Sequence, residues 1–85
     1  MTGFSYRITD EVGIHARPAG LMMKKSLEYK SNIMVKCNGK TADVRKIMSV
    51  MALGVKKGDL VELVIEGEDE EEAKAGLEAF FRENL

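Results

Sequence analysis

A single histidine, His15, stands where a helix is predicted to begin, with an arginine two residues after it. Residues 13–19 read Gly-Ile-His-Ala-Arg-Pro-Ala, and the chain has 1 histidine in all. Because the N–H that proline lacks would be unpaired in a first helical turn, Pro18 predicts a helix that starts close to His15. Gly13 favours a tight turn between a strand and that helix. The nucleophilic imidazole is therefore predicted to lie at the N-cap, beside unpaired backbone N–H groups.

The chemistry that this place favours is transient phosphorylation of the imidazole ring. The N-terminus of a helix with an arginine nearby attracts anions. The backbone N–H groups of Ala16 and Arg17, together with the Arg17 guanidinium, are the predicted phosphate ligands. We expect cationic surroundings for the ring, which favour its neutral and nucleophilic form. The plainer alternative, a surface or capping histidine, does not explain why the arginine, the proline and the glycine turn occur together.

The motif resembles the active-site signature of HPr, the histidine phosphocarrier of the bacterial phosphoenolpyruvate-dependent sugar phosphotransferase system. Residues 47–54, Ile-Met-Ser-Val-Met-Ala-Leu-Gly, resemble a second marked region of that family, and residues 38–41, Asn-Gly-Lys-Thr, resemble its hairpin. The spacing matches, and the resemblance covers essentially all 85 residues as a single HPr-like domain, 1–85. It implies that His15 accepts a phosphoryl group on Nδ1 from phosphorylated Enzyme I, that Arg17 assists, and that IIA domains are the acceptors.

Two residues depart from the family pattern. HPr proteins commonly carry a small polar residue three positions before the active histidine, where this chain has Val12. One hydrogen bond near the phosphohistidine is therefore expected to be lost. HPr proteins of Gram-positive type carry a regulatory serine at the start of the second helix, where this chain has Lys46. Lysine cannot accept that phosphate and cannot cap a helix.

A docking surface is predicted around His15, because the two nearby helices hold more apolar residues than they can bury. Methionines suit a surface that must fit several partners in turn. Gly20 lies inside the first helix, where glycine costs about 1 kcal/mol relative to alanine, and close approach of a partner would explain it. The family resemblance assigns this surface to Enzyme I and the IIA domains. The predicted partner-binding residues are Gly20, Leu21, Lys24, Leu27, Lys46, Ile47, Met48 and Met51.

Charge is spread unevenly along the chain. Residues 1–60 hold eleven Lys and Arg against five Asp and Glu, whereas residues 61–85 hold two against nine. The basic part includes the histidine motif and Lys24, Lys40, Arg45 and Lys46. Nucleic acid is a poor match for it, because the basic residues are not interleaved with aromatic ones. An acidic protein partner or a phosphoryl group fits better.

The remaining composition indicates an ordinary globular chain, for which we expect a cytoplasmic location and a monomeric state. Its lone cysteine, Cys37, cannot form an internal disulfide, and the alternating run around it predicts a small buried side chain. There is no secretory segment and no apolar run long enough to cross a membrane, so we expect no membrane insertion. We also expect no metal and no cofactor, because no metal-ligand cluster, catalytic triad or glycine-rich phosphate loop is visible.

The apolar periodicity predicts the element order β-α-β-β-α-β-α. Strands are expected at 3–8, 32–37, 40–44 and 60–66, and helices at 16–27, 47–53 and 70–83. The Asn38-Gly39 pair predicts a hairpin, and Asp69 is expected to cap the last helix. The fold class is then α+β: an open-faced β-sandwich, a four-stranded antiparallel sheet with helices on one face. The first helix is expected to bury Ala19, Met22, Met23 and Leu27, and the last Ala73, Leu77, Phe80 and Phe81.

Three functions agree with these observations. The first is a phosphocarrier, which is not an enzyme because it has no turnover of its own. The second is a regulatory HPr-like paralogue that acts through the phosphorylation state of His15. The third is a non-phosphorylated α/β interaction module. Transfer of label from phosphoenolpyruvate through Enzyme I separates the third from the other two.

Overall fold

The computed structural model describes residues 1–85 and has the predicted order of elements. No helix in it is long and apolar enough to cross a membrane. Its elements are β1 (Thr2–Arg7), α1 (Ala16–Ser26), β2 (Asn32–Cys37), β3 (Lys40–Asp43), α2 (Ile47–Met51), β4 (Leu60–Glu66) and α3 (Glu70–Asn84).

The four strands form one antiparallel sheet in the order β1-β4-β2-β3. Because the sheet is covered on one face only, its strands alternate between buried and exposed residues, as predicted. Val61, Leu63 and Ile65 of β4 are all buried on the covered face. On the opposite face, Lys36 and Glu62 form an exposed cross-strand ion pair. The predicted open-faced β-sandwich is confirmed.

The core lies between the sheet and the two longer helices. Phe81 of α3 is fully buried, and the rings of Phe4 and Tyr6 meet it edge to face at centroid distances of 5.7 and 5.5 Å. Ala19 and Met22 of α1 are also fully buried. Aromatic contacts of this kind add to the stability gained from burial. The buried side of the last helix is the predicted one, with Ala73, Leu77, Phe80 and Phe81.

Cys37 is buried, as the alternation around it predicts. Burial raises the pKa of its thiol, the nearby Asp59 carboxylate adds to that rise, and a hydrogen bond from the Asn38 backbone opposes it. The uncharged thiol is the form that this environment favours, so Cys37 acts as a small apolar residue of the core.

Two polar side chains fasten the loop between α1 and β2. The Asp69 carboxylate accepts the N–H groups of Lys30 and Ser31 at 2.8 and 2.9 Å and the Ser31 hydroxyl at 2.5 Å. From the other side, the Arg45 guanidinium donates to the carbonyls of Tyr29 and Ser31 at 2.9 and 3.1 Å. These contacts hold the end of α1 against the starts of α3 and α2.

The structure corrects several sequence predictions about these elements. Asp69 occupies the N-cap position of α3 but makes no capping bond, because its carboxylate is already bound to the loop after α1. Leu27 is predicted to be buried but is 61% exposed, and it is the C-cap residue that follows the end of α1 at Ser26. Met23 is only partly buried. Five of the seven predicted elements differ at one or both ends, and the largest difference is in α2, which stops at Met51 instead of residue 53.

Replacement of Asp69 by Asn is expected to lower stability in a pH-dependent way. The hydrogen bond from Ser31 is the largest cause of a lowered Asp69 pKa in the folded protein, followed by that from the Lys30 N–H. A carboxyl whose pKa is lowered on folding stabilises above its unfolded pKa, about 3.9, and loses that contribution as pH falls through the folded pKa. Chemical denaturation from neutral to acid pH measures it.

The difference in unfolding free energy between the wild type and Asp69→Asn should be largest at neutral pH and should decrease as the pH falls into the acid range. Glu72→Gln, in the exposed first turn of α3, is the matched control and should show a smaller effect. A difference that is constant across the acid range would contradict this account of Asp69.

Candidate functional site

His15 is the N-cap residue of α1, as the sequence predicts. Its backbone is extended, with φ −112° and ψ −170°, and its carbonyl accepts the Ala19 N–H at 3.0 Å as the first bond of the helix. The imidazole makes no capping bond, and 41% of the side chain is exposed. The ring is thus free to react while its backbone is held by the helix.

The turn before His15 depends on Gly13. Its φ is +77°, and a Cβ atom there would collide with the Val55 carbonyl and lie 2.8 Å from the Lys56 Cα. The next residue, Ile14, is buried and donates its N–H to that Val55 carbonyl at 3.2 Å. Glycine lets the two backbones approach this closely. The chain can then enter α1 with Ile14 in the core and His15 at the surface.

The start of α1 has the properties of an anion site. The N–H groups of Ala16 and Arg17 have no partner in the preceding loop, as is usual for the first turn of a helix. Pro18, one residue on, has no N–H to offer. Arg17 is exposed and forms no hydrogen bond or ion pair. The first turn after His15 therefore holds two backbone donors and one free guanidinium that suit phosphoryl oxygens.

The surroundings of His15 are not purely cationic, which corrects the expectation from the sequence. The Asp10 carboxylate has an oxygen, Oδ2, that lies 4.0 Å from His15 Nε2. Sequence reasoning missed Asp10, although a signal was present. Asp10 and Gly13 stand at the first and fourth positions of a four-residue segment, which is typical of a β-turn. The Gly13 N–H donates to the Asp10 carbonyl at 3.2 Å and closes that turn.

Exposure of the predicted docking residues varies widely. Met48 is 77% exposed, Leu27 61% and Met51 36%, whereas Leu21 and Ile47 are half-buried and pack against the core. A Cβ atom at Gly20 would meet nothing within 4 Å, so no internal contact requires glycine there. The apolar surface available to a partner is thus narrower than predicted and consists of the two methionines of α2 and Leu27.

The basic residues divide into free and bound ones. Lys24 in α1 and Lys46 at the N-cap of α2 are exposed and unpaired. Arg45 is different, because its guanidinium is partly buried against the carbonyls that end α1. Arg45 therefore does not belong to the basic surface that the sequence predicts, and no sequence pattern indicates its role.

The site is an open surface. The one surface depression in the structure runs along β1 and β4, and its lining does not include His15. No group of three or more His, Cys, Asp or Glu side chains is placed to hold a metal ion. The nucleophile and the anion ligands therefore lie on an open surface, where a phosphorylated partner can reach them from solution.

Comparisons with known proteins identify a family over almost the whole chain. The family described as "PTS HPr component phosphorylation site" matches residues 3–83. The phosphocarrier protein HPr of Mycoplasma capricolum subsp. capricolum is 40% identical over 73 residues, which are 86% of this chain and 82% of that protein.

Solved structures show the same fold. A histidine-containing phosphocarrier protein of Mycoplasma superposes with a TM-score of 0.92 at 34% identity, over 96% of this chain and 93% of that one. Crh of Bacillus subtilis, a catabolite repression protein described as a swapped dimer, superposes with a TM-score of 0.78 at 32% identity, over 94% and 92% of the two chains.

Proposed function

This chain belongs to the HPr family of phosphocarrier proteins, and from that premise we propose that it accepts a phosphoryl group on His15 from phosphorylated Enzyme I and passes it to sugar-specific IIA domains. Proteins of this family are carriers and not catalysts. The proposed partners place the chain in the cytoplasm, and a monomer leaves the surface around His15 open to each of them.

One observation carries the proposal: the only imidazole of the chain is an exposed N-cap, beside two free N–H groups and a free guanidinium. A capping histidine with a purely structural role would bind the first turn with its ring, and this ring does not. Each neighbouring group suits an anion bound to the imidazole better than it suits the free protein.

The transfer step follows from these positions. The lone pair of one imidazole nitrogen, Nδ1 by family resemblance, attacks phosphorus, and the bond between phosphorus and the donor atom on Enzyme I breaks with its electron pair left on that atom. The phosphoryl oxygens are then bound by the amides of Ala16 and Arg17 and by the Arg17 guanidinium. The reverse sequence, with a IIA domain as the attacking partner, releases the group.

Docking of both partners is assigned to the same surface. Met48, Met51 and Leu27 supply exposed apolar contacts, and Lys24 and Lys46 supply unpaired positive charge for an acidic partner. Gly20 leaves room for close approach. Leu21 and Ile47 support this surface from below. Leu27 lies about 18 Å from His15 along the helix axis, at about 1.5 Å for each residue, so the surface extends the length of α1.

A regulatory paralogue is the second candidate, and the similarity to Crh favours it. In that case His15 would still be phosphorylated, but the phosphoryl group would signal instead of moving on to sugar transport. For both candidates, Lys46 changes the charge at the start of α2. It keeps a positive charge where a Gram-positive HPr gains about two negative charges on serine phosphorylation.

We expect label from phosphoenolpyruvate to reach His15 when Enzyme I is supplied. The adduct should be acid-labile and base-stable, as a phosphoramidate bond is, and His15→Ala should remain unlabelled. Gel detection of the label, followed by addition of IIA domains, tests both candidates in turn. Labelled His15→Ala would contradict phosphorylation at this residue. Wild-type label that no IIA domain accepts would favour the regulatory candidate.

Arg17→Glu should slow phosphoryl transfer by roughly tenfold to a hundredfold, because a charge-assisted bond is worth about 1.5–3 kcal/mol and the variant adds repulsion. Unfolding free energy should change by less than about 0.5 kcal/mol, since the side chain is exposed and unpaired. Rapid-quench kinetics measures the transfer rate, and thermal denaturation measures the change in unfolding free energy. Lys36→Glu, with the same charge change on the open face of the sheet, is the control. Equal rates for both variants would contradict the role of Arg17.

Met48→Asp should weaken Enzyme I binding by about tenfold or more, because a docked carboxylate would be buried without a partner. The fold should survive, as Met48 is 77% exposed. Isothermal titration calorimetry measures the affinity for Enzyme I, and circular dichroism shows whether the variant is folded. The control is Leu60→Asp, which places the same new charge at an exposed leucine of β4. If Met48→Asp unfolds the protein, or binds Enzyme I as tightly as the control does, Met48 does not belong to the docking surface.

A further inference from the structure

Asp10 is held in place by three separate hydrogen bonds. Its N–H donates to the Leu85 carbonyl at 2.8 Å, and its own carbonyl accepts the Gly13 N–H at 3.2 Å. Its side-chain Oδ2 accepts the Val12 N–H at 3.0 Å, which forms a local turn of the kind that aspartate favours. A side chain fixed in this way has a defined direction, and that direction brings Oδ2 within 4.0 Å of His15 Nε2.

The neighbouring carboxylate shows that this position is specific. Glu11 is the next residue and carries the same charge, but it pairs with Lys57 at 2.7 Å instead of with His15. Asp10 is therefore the only carboxylate within ion-pair distance of the imidazole. Position 12 offers the ring no polar group, because it holds an exposed valine.

We propose that Asp10 is a positioning residue for phosphoryl transfer: its carboxylate accepts the Nε2–H of His15 and so leaves the lone pair on Nδ1. The proposal rests on the proposed function of His15. The Asp10 carboxylate is held by Val12, whereas the His15 imidazole makes no capping bond and its side chain is 41% exposed. Rotation of the imidazole can therefore bring Nε2 to hydrogen-bond distance of Oδ2. Contacts of this kind are often long in the free protein and shorten when the partner binds.

The charge balance of the transfer gives Asp10 a second effect. When neutral Nδ1 bonds to phosphorus while Nε2 keeps its proton, the ring becomes positively charged. A carboxylate beside Nε2 stabilises that charge as it develops, in the same way that a buried aspartate assists the histidine of a serine protease. On onward transfer the ring that keeps its Nε2 proton leaves as neutral imidazole, which is a better leaving group than an imidazolate. Asp10 therefore assists both directions.

The first test needs no partner protein. Nitrogen-15 NMR of histidine-labelled protein, at a pH above the usual titration range of imidazole, reports which ring nitrogen carries the proton. The chain has 1 histidine, so the signals need no assignment. The wild type should be mainly the Nε2–H tautomer. In Asp10→Asn the oxygen that accepts the Val12 N–H and faces Nε2 loses its negative charge. A neutral amide oxygen is a weaker acceptor for the Nε2–H, so the Nδ1–H tautomer should increase.

The second test measures transfer. Asp10→Asn should accept phosphate more slowly than wild type, by up to about fivefold, which is the upper end of the effect of one partly exposed charge pair. Small-molecule phosphoramidate is the donor, so the result does not depend on Enzyme I. Glu11→Gln loses the same charge one residue away and should match the wild type in both tests. If Asp10→Asn does not fold, Asp10→Ser replaces it, because a hydroxyl can still accept the Val12 N–H.

The outcomes separate this proposal from the proposed function. A tautomer shift in Asp10→Asn alone, with slower acceptance, supports Asp10 as the positioning residue. Tautomer populations equal to wild type, or the same shift in Glu11→Gln, would overturn it whatever the transfer rates are. Failure of Enzyme I to label His15 would overturn the proposed function but leave the NMR result standing.

Discussion

The position of the histidine depends on two carbonyl oxygens from distant parts of the chain. The Val55 carbonyl accepts the Ile14 N–H, and the Leu85 carbonyl accepts the N–H groups of Thr9 and Asp10. Between these two anchors the chain must leave β1, turn at Gly13 and enter α1. Ile14 is then drawn into the core, and the next residue is left at the surface. The core thus fixes the backbone of the site without burying its chemistry.

Much of this arrangement could be predicted from the sequence, because it depends on local patterns. Three signals are carried by residues close together in the chain. They are the alternation in β4, the Asn38-Gly39 pair, and the placement of Gly13 and Pro18 on either side of His15. These patterns gave the order of the elements and the helix start at the histidine. Met48 could be proposed as a surface residue because the short helix predicted over 47–53 has more apolar residues than it can bury, and Met48 is 77% exposed.

The parts that could not be predicted depend on contacts between residues far apart in the chain. Asp69 has the sequence context of a cap, but Lys30 and Ser31 offer it three hydrogen bonds, and these take its carboxylate away from its own helix. From the sequence Arg45 resembles a surface cation, but in the structure it donates to the carbonyls of Tyr29 and Ser31 in the loop after α1. Leu27 follows the helical period and is nevertheless exposed, since the helix ends one residue earlier.

The exposure of His15 has a kinetic consequence for a carrier. Part of the His15 side chain, 41% of its surface, is open to solvent, so water as well as an acceptor protein can reach a phosphoryl group carried there. Delivery is then a competition between first-order hydrolysis and second-order encounter with the acceptor. The fraction delivered depends on how much acceptor the cell holds, and an open site of this kind works only where its partners are abundant enough to arrive before the solvent reacts.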